Sequence, residues 1–308
     1  MARIGFLGPP GTFTEEALLT QPDLAESELV PYGSMPDVLA ATDAGEVELG
    51  FVAIENSIEG TVNVSLDALT FEHDLLIQRD VVLNVSMSLI APTGTKLKDV
   101  KRVVSIPHAT AQCRQFFARE LPGVTLEPAN STAEAVRAVG RSKAKGVAAL
   151  GNALAAKLYG LDILASDIED HPENQTRFVL LARDGVPAPT GHDKTTIACF
   201  QHADRPGSLL MILQEFAARG INLTKLESRP TKKGLGDYCF IIDLDGHVAD
   251  EVVADCLREL RSKLRDVKFL GSYPAAGEQG AARRRARSAA WKSADAWLRG
   301  LRSQIEPS

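Results

Sequence analysis

Cysteine is scarce in this chain, with four among 308 residues. Cys113, Cys199, Cys239 and Cys256 are scattered, with no C-x-x-C and no histidine at metal-ligand spacing. That excludes zinc-ribbon and thioredoxin-like chemistry. The thiols read as reduced and mostly buried, in a reducing compartment. No apolar run is long enough to span a bilayer. The opening "MARIGFLGPPGTF" carries one arginine and no apolar h-region, so a signal peptide is not expected and the reading is cytoplasmic, with no membrane contact. Excess positive charge is also missing. The formal net charge of −6 argues against a general nucleic-acid binder. The basic text "RRRAR" at 283–287 makes the body upstream more acidic than the total.

Two catalytic signatures are absent as well. The loop "GPPGTFTEE" (8–16) has glycines but no lysine after them, so it is not a P-loop. No serine or cysteine stands at a recognisable nucleophile elbow, so His108 is not supported as a triad base and reads as a solvated loop histidine.

What is present is alternation. At this length about two domains are expected. Over residues 1–182 strand-like text ("RIGFL", "VELGFVAIE", "RVVSI", "GVAAL", "RFVLLA") alternates with helix-like text. This implies an α/β domain with a largely parallel sheet. The Pro- and Gly-rich "RDGVPAPTGHDK" reads as a linker. From "TTIACFQ" to "VKFLGSYP" the order is βαββαβ, a ferredoxin-like arrangement, with Gly220 as the C′ residue of its first helix. The tail from Ala275 holds the basic cluster and then "SAAWKSADAWLRGL", where Trp291, Asp295 or Ala294, Leu298 and Leu301 fall near helical spacing. It is read as a short helix docking on its own protein.

In α/β sheets ligands sit beyond the carboxyl ends of strands, and polar groups gather in three such loops. Thr12 and Glu15 have capping-box spacing, which favours an anion at the helix start. In "AIENSIEGTV", Glu55, Asn56 and Ser57 follow a buried strand, Glu59 comes next, and Thr61 is expected to cap the following helix. In "SIPHATAQC", Ser105 ends a strand and Gln112 lies on the next helix, while Ser131 or Thr132 is expected to cap the helix of "NSTAEA". Finally "TRFVLLA" (176–182) is a core strand that begins with a hydroxyl and a cation. From the residues alone this is a capped strand edge or a proton donor aimed into a cleft.

Together "GPPGTFTEEA", "AIENSIEGTV", "SIPHATAQC", "NSTAEA" and "NQTRFVLLA" resemble the prephenate dehydratase family in order and spacing. "RPGSLL" and "LESRP" look like the two effector segments of that family's ACT regulatory domain. The resemblance covers residues 1 to about 274. It implies a two-lobed, periplasmic-binding-protein-like (type II) catalytic domain over 1–182, with lobe one at about 1–77 and 165–182 and lobe two at about 78–164. A linker at 183–193, an ACT domain at 194–274 and a tail at 275–308 complete the expected layout. The implied activity is a carbon–oxygen lyase that decarboxylates and dehydrates prephenate to phenylpyruvate in phenylalanine synthesis, without cofactor. By resemblance Thr176 contacts the leaving hydroxyl, with Asn56, Ser105 and Gln112 positioning it and Thr12, Phe13, Ser131, Thr132, Arg177 and Phe178 holding substrate or motif. Because a threonine hydroxyl is a poor acid near neutral pH, Glu55 or water is expected to complete the proton transfer.

Two departures stand out: Ile106 and His108 replace the habitual histidine and glutamine, and Ser208 replaces the habitual alanine. In the ACT segment Gly207, Ser208, Leu209, Glu227, Ser228, Arg229 and Pro230 are implied to bind phenylalanine at an interface between copies of the chain, in a dimer or tetramer. The rival readings are arogenate as substrate, and a non-catalytic amino-acid sensor.

Overall fold

The computed structural model describes residues 2–142, 144–203, 205–232, 234, 236–276, 293 and 296–304. The chain begins β1 (Arg3–Leu7), α1 (Phe13–Leu19), α2 (Pro22–Ala25), β2 (Glu28–Tyr32), α3 (Met35–Ala44), β3 (Leu49–Asn56), β4 (Gly60–Thr61), α4 (Asn63–Phe71) and β5 (Leu76–Asn84). It continues with β6 (Ser88–Ala91), β7 (Arg102–Ser105), α5 (Pro107–Ala111), α6 (Arg114–Glu120) and β8 (Thr125–Pro128). Then follow α7 (Thr132–Ser142), β9 (Val147–Gly151), α8 (Ala153–Tyr159), β10 (Asp162–Ala165) and β11 (Gln175–Ala182). The expected βαββαβ segment is β12 (Asp193–Phe200), α9 (Ser208–Ala218), β13 (Leu223–Pro230), β14 (Tyr238–Asp245), α10 (Glu251–Lys263) and β15 (Asp266–Pro274).

The described residues fall into two compact units, one made of those up to His73 and from Val81 to Leu180, the other of Asp74–Asp80 and those from Leu181 on. The first holds two α/β lobes. One is built on a sheet of order β2-β1-β3-β11-β5, with β4 paired to β3; the other on β10-β6-β9-β7-β8. β1 runs parallel to β2 and β3. The second sheet is mixed rather than largely parallel: β7 is parallel to β8 and β9, while β6 is antiparallel to β9 and β10.

Apolar faces on both sides of the strands fix the lobes. Ile4, Phe6, Phe51, Phe178 and Leu180 are buried with Ala17 and Leu18 of α1, and Phe51 stacks on Phe178 at 5.3 Å. In the second lobe Val103, Ala148 and Leu150 pack with Phe116 and Phe117 of α6. The stretch between β7 and β8 forms two helices, α5 and α6, with the chain turning at Gln112–Cys113.

In the second unit the sheet order is β13-β14-β12-β15, antiparallel throughout the pairs β12–β14, β12–β15 and β13–β14. That is the ferredoxin-like order. Gly220 has a φ of 60° after α9, the left-handed C′ geometry expected of it. Gly271 approaches the Ile77 backbone so closely that a Cβ would stand 2.6 Å from the Ile77 carbonyl oxygen. All four cysteines are free and buried, and burial pushes the Cys113, Cys199 and Cys256 thiols up to about 12. The cluster at 283–287 and Trp291 lie outside the described residues, while Leu298 and Leu301 are exposed rather than docked. No helix among the described residues is long and apolar enough to cross a membrane.

Candidate active site

The first unit brings the separate loops together. β3 ends in Glu55 and Asn56, and the Asn56 side chain closes a tight turn, its Oδ1 accepting from the backbone N–H of Ile58 and of Glu59 at 3.0 Å each. This local bond fixes which end of the amide is which. The Nδ2 end therefore faces the start of β11. It donates to Thr176 Oγ1 at 3.0 Å, Asn174 Oδ1 at 2.9 Å and the Gln175 carbonyl at 3.2 Å. Asn174, itself buried, donates through Nδ2 to Gln112 Oε1 of the second lobe at 3.3 Å. Thus Asn56, Thr176 and Gln112, expected from the sequence, belong to one network, joined by an asparagine that was not singled out.

Thr176 is half-buried at the head of a strand whose next residues are core. Arg177 is buried, and its Nη1 lies 3.5 Å from Glu55 Oε2. Phe178 is 1% exposed and stacked in the core, so it holds the strand rather than touching a substrate. Ser105 ends β7 with its hydroxyl buried and making no hydrogen bond to the described residues.

The helix starts differ from one another. Ser131 caps α7, its Oγ accepting from Glu134 N at 3.0 Å, and Thr132 follows as a buried first residue. Thr12 also caps, accepting from Glu15 N at 3.3 Å, but its own proton goes to the Leu7 carbonyl at 3.0 Å. Glu15 and Glu16 already supply negative charge to that first turn, which disfavours a further anion there. Phe13 packs across on the second-lobe core. The expected Thr61 cap is not formed. Thr61 lies in β4 opposite Glu55, and Val62 is the N-cap of α4, with no side-chain capping bond.

His108 is not a solvated loop residue. It is half-buried at the start of α5, with Nε2 2.7 Å from Gln112 Nε2 and Nδ1 3.1 Å from Glu59 Oε1. Its neighbour Ile106 packs against the second-lobe core. A further inter-lobe bond runs from Asn152 Nδ2 to Glu16 Oε2 at 2.9 Å, and burial raises the Glu16 carboxyl above its ordinary range against the opposing pull of Asn152.

The model of the family described as prephenate dehydratase matches residues 4–186, and that of the ACT domain matches residues 195–262. The chain belongs to the prephenate dehydratase family. A prephenate dehydratase of Mycolicibacterium vanbaalenii is 40% identical over 316 residues, covering 98% of this chain and 99% of that protein. The solved prephenate dehydratase of Arthrobacter aurescens in complex with L-Phe is 39% identical, with a TM-score of 0.87 over 98% of this chain and 99% of that one. A third structure, described as the quorum-quenching acylase GqqA, is 29% identical with a TM-score of 0.79 over 89% of this chain and 98% of its own. The chain is therefore a carbon–oxygen lyase.

The second unit places the two ACT segments as follows. Gly207 is the N-cap of α9 in the left-handed region, with φ 87°, and Ser208 exchanges bonds with the Arg205 backbone at 2.8 and 3.1 Å. Leu209 is partly buried against the core of that unit. Glu227, Ser228, Arg229 and Pro230 complete β13, an edge strand in which exposed and half-buried residues alternate. Asp204 lies outside the described residues.

Proposed function

We propose that the Asn56–Thr176 pair is the reacting end of the site in which prephenate becomes phenylpyruvate. The catalytic segment is 1–182, with lobes at 1–77 plus 165–182 and at 78–164, followed by a linker at 183–193 and a regulatory segment at 194–274. In the reaction the bond between the ring and its carboxylate breaks, releasing carbon dioxide. Its electron pair enters the ring, and the ring hydroxyl on the opposite carbon departs, taking up one proton to leave as water. Aromatisation supplies the driving force, so the protein has to orient the ring, bind two carboxylates and protonate one oxygen.

The observation that carries this reading is the direction of one hydrogen bond. Asn56 Nδ2 donates to Thr176 Oγ1, so the threonine keeps its own proton for another acceptor. A leaving hydroxyl is such an acceptor, and a donor already polarised by an amide serves it better than an isolated alcohol. Ser105 supports the same site. A buried hydroxyl without a partner costs about 1–3 kcal/mol, which a polar group of the substrate would recover. The start of α7, with Ser131 and Thr132, is read as the seat of a carboxylate. Arg177 holds Glu55, and Glu55 or water completes the proton transfer.

Phenylalanine is read as the feedback effector, following the L-Phe complex of the Arthrobacter relative. Gly207, Ser208 and Leu209 at the start of α9 and Glu227–Pro230 on β13 are its binding segments, met across copies of the chain in a dimer or tetramer. The exposed edge of β13 supports such pairing, with Leu226 43% exposed. The location is read as cytoplasmic. The deciding assay is phenylpyruvate formation from prephenate by the purified chain, with and without phenylalanine, and with arogenate as the alternative substrate. Turnover of prephenate that phenylalanine lowers is the expected result. Ligand binding without phenylpyruvate would instead mark a sensor.

A further inference from the structure

The amide network has a polarity, and that polarity constrains a histidine. Asn56 presents Oδ1 to two backbone N–H donors, a contact only an acceptor atom satisfies. Its NH2 end must then meet Asn174 Oδ1, which turns the Asn174 NH2 to Gln112 Oε1. Gln112 is left with its NH2 2.7 Å from His108 Nε2. The series closes only if that ring nitrogen carries a lone pair. A neutral imidazole has one N–H, so the proton sits on Nδ1 and is donated to Glu59 Oε1.

We infer that His108 is a positioning residue for the dehydration: in its neutral Nδ1–H form it accepts from the Gln112 amide and so holds Gln112 and Asn174 in place within the network that contains Asn56 and Thr176. This rests on the donor role read for Thr176. Protonating His108 sets two donors against each other at Nε2. Gln112 must then turn over and face the Asn174 NH2 with its own, or withdraw. Asn174 is 1% and Gln112 7% exposed, so water does not readily replace the lost bond, and an unmatched buried amide is costly. Glu59 accepts from Nδ1–H in both charge states and so leaves the Nε2 conflict in place. The remaining charged groups nearby are engaged elsewhere. On the segment leading to β11, Asp170 Oδ1 accepts from Gln115 N at 3.0 Å, and His171 lies 3.6 Å from Glu173. α5 itself brings no other charged side chain, its remaining residues being Pro107, Ala109, Thr110 and Ala111.

The test uses the full chain, with initial rates on prephenate from about pH 8 down to about pH 5.5, the range in which imidazoles titrate. Wild-type kcat is expected to fall along a one-proton limb. His108→Gln supplies an acceptor to Gln112 and a donor to Glu59 at every pH, so it should flatten that limb. His108→Phe, which cannot accept, should lower kcat about tenfold across the range, the worth of about one hydrogen bond, with little change in KM. In the free enzyme, 15N NMR of the imidazole, assigned with H108Q, should show Nδ1 protonated and Nε2 bare at neutral pH. A protonated Nε2, or an acid limb unchanged in H108Q, overturns the inference. Thr176→Ala run beside it separates the two levels. Loss of activity there with an unchanged H108Q limb rejects the histidine alone, whereas retained activity rejects the donor assignment beneath it.

Discussion

Asn56 Nδ2 stands 3.0 Å from Thr176 Oγ1, across 120 residues of sequence, with the amide as donor. The hydroxyl is therefore an acceptor toward the protein and a donor toward whatever lies in front of it. Asn56→Asp should reverse this, because a carboxylate would take the threonine proton. The expected loss in kcat is about 10²-fold, the lower range for a general acid–base group, with KM changed much less. Equal losses in Asn56→Asp and a conservative swap far from β11 would remove the directional argument.

Ser105 offers a trade between stability and activity. Its buried hydroxyl makes no bond to the described residues, so Ser105→Ala should stabilise the free enzyme by about 1 kcal/mol. Across 308 residues that corresponds to a Tm rise of about 1–2 °C. The same change should cut kcat/KM about tenfold, the worth of about one hydrogen bond. A higher Tm with unchanged kinetics would leave Ser105 a structural residue.

Glu16 makes stability depend on pH. Burial raises its carboxyl, so the folded chain holds that proton more tightly than the unfolded chain, whose reference value is 4.5. The stability it contributes is full below that reference and is lost as pH rises through the folded value. Glu16→Gln keeps an acceptor for Asn152 without the ionisation. Urea unfolding should show the variant gaining on wild type as pH rises from about 4 to about 7. A wild type that gains instead would contradict the burial assignment.

Gly207 separates backbone strain from ligand contact. At φ 87° a side chain is strained, yet a Cβ there meets nothing within 4 Å. Gly207→Ala should therefore cost about 1–2 kcal/mol from the backbone alone, and should weaken the response to phenylalanine. Arg229→Ala should weaken the same response. An unaltered inhibition curve in both variants would remove these segments from the effector site.

Much of this was readable from the chain because the informative signals are local. The capping of α1 by Thr12 and of α7 by Ser131, the C′ glycine at 220 and the βαββαβ order each arise within a few residues of sequence. Asn56, Gln112 and Thr176 meet where the end of β3, the turn after α5 and the head of β11 come together. Asn174 escaped notice because its role depends on contacts 118 and 62 residues away. His108 was misread for a related reason: its partners are Gln112 one helical turn on and Glu59 from the other lobe. Composition gives no sign of which end of an amide faces which. Thr61 failed as a cap because β3 claimed its backbone in a two-residue ladder.

The account turns most directly on kcat for Thr176→Ala with prephenate. If the threonine hydroxyl is the group that meets the departing oxygen, kcat falls by about 10²-fold or more, as for other proton donors, while KM changes little. A Thr176→Ala enzyme within about tenfold of wild type would contradict it and would pass the proton to Glu55 or water alone.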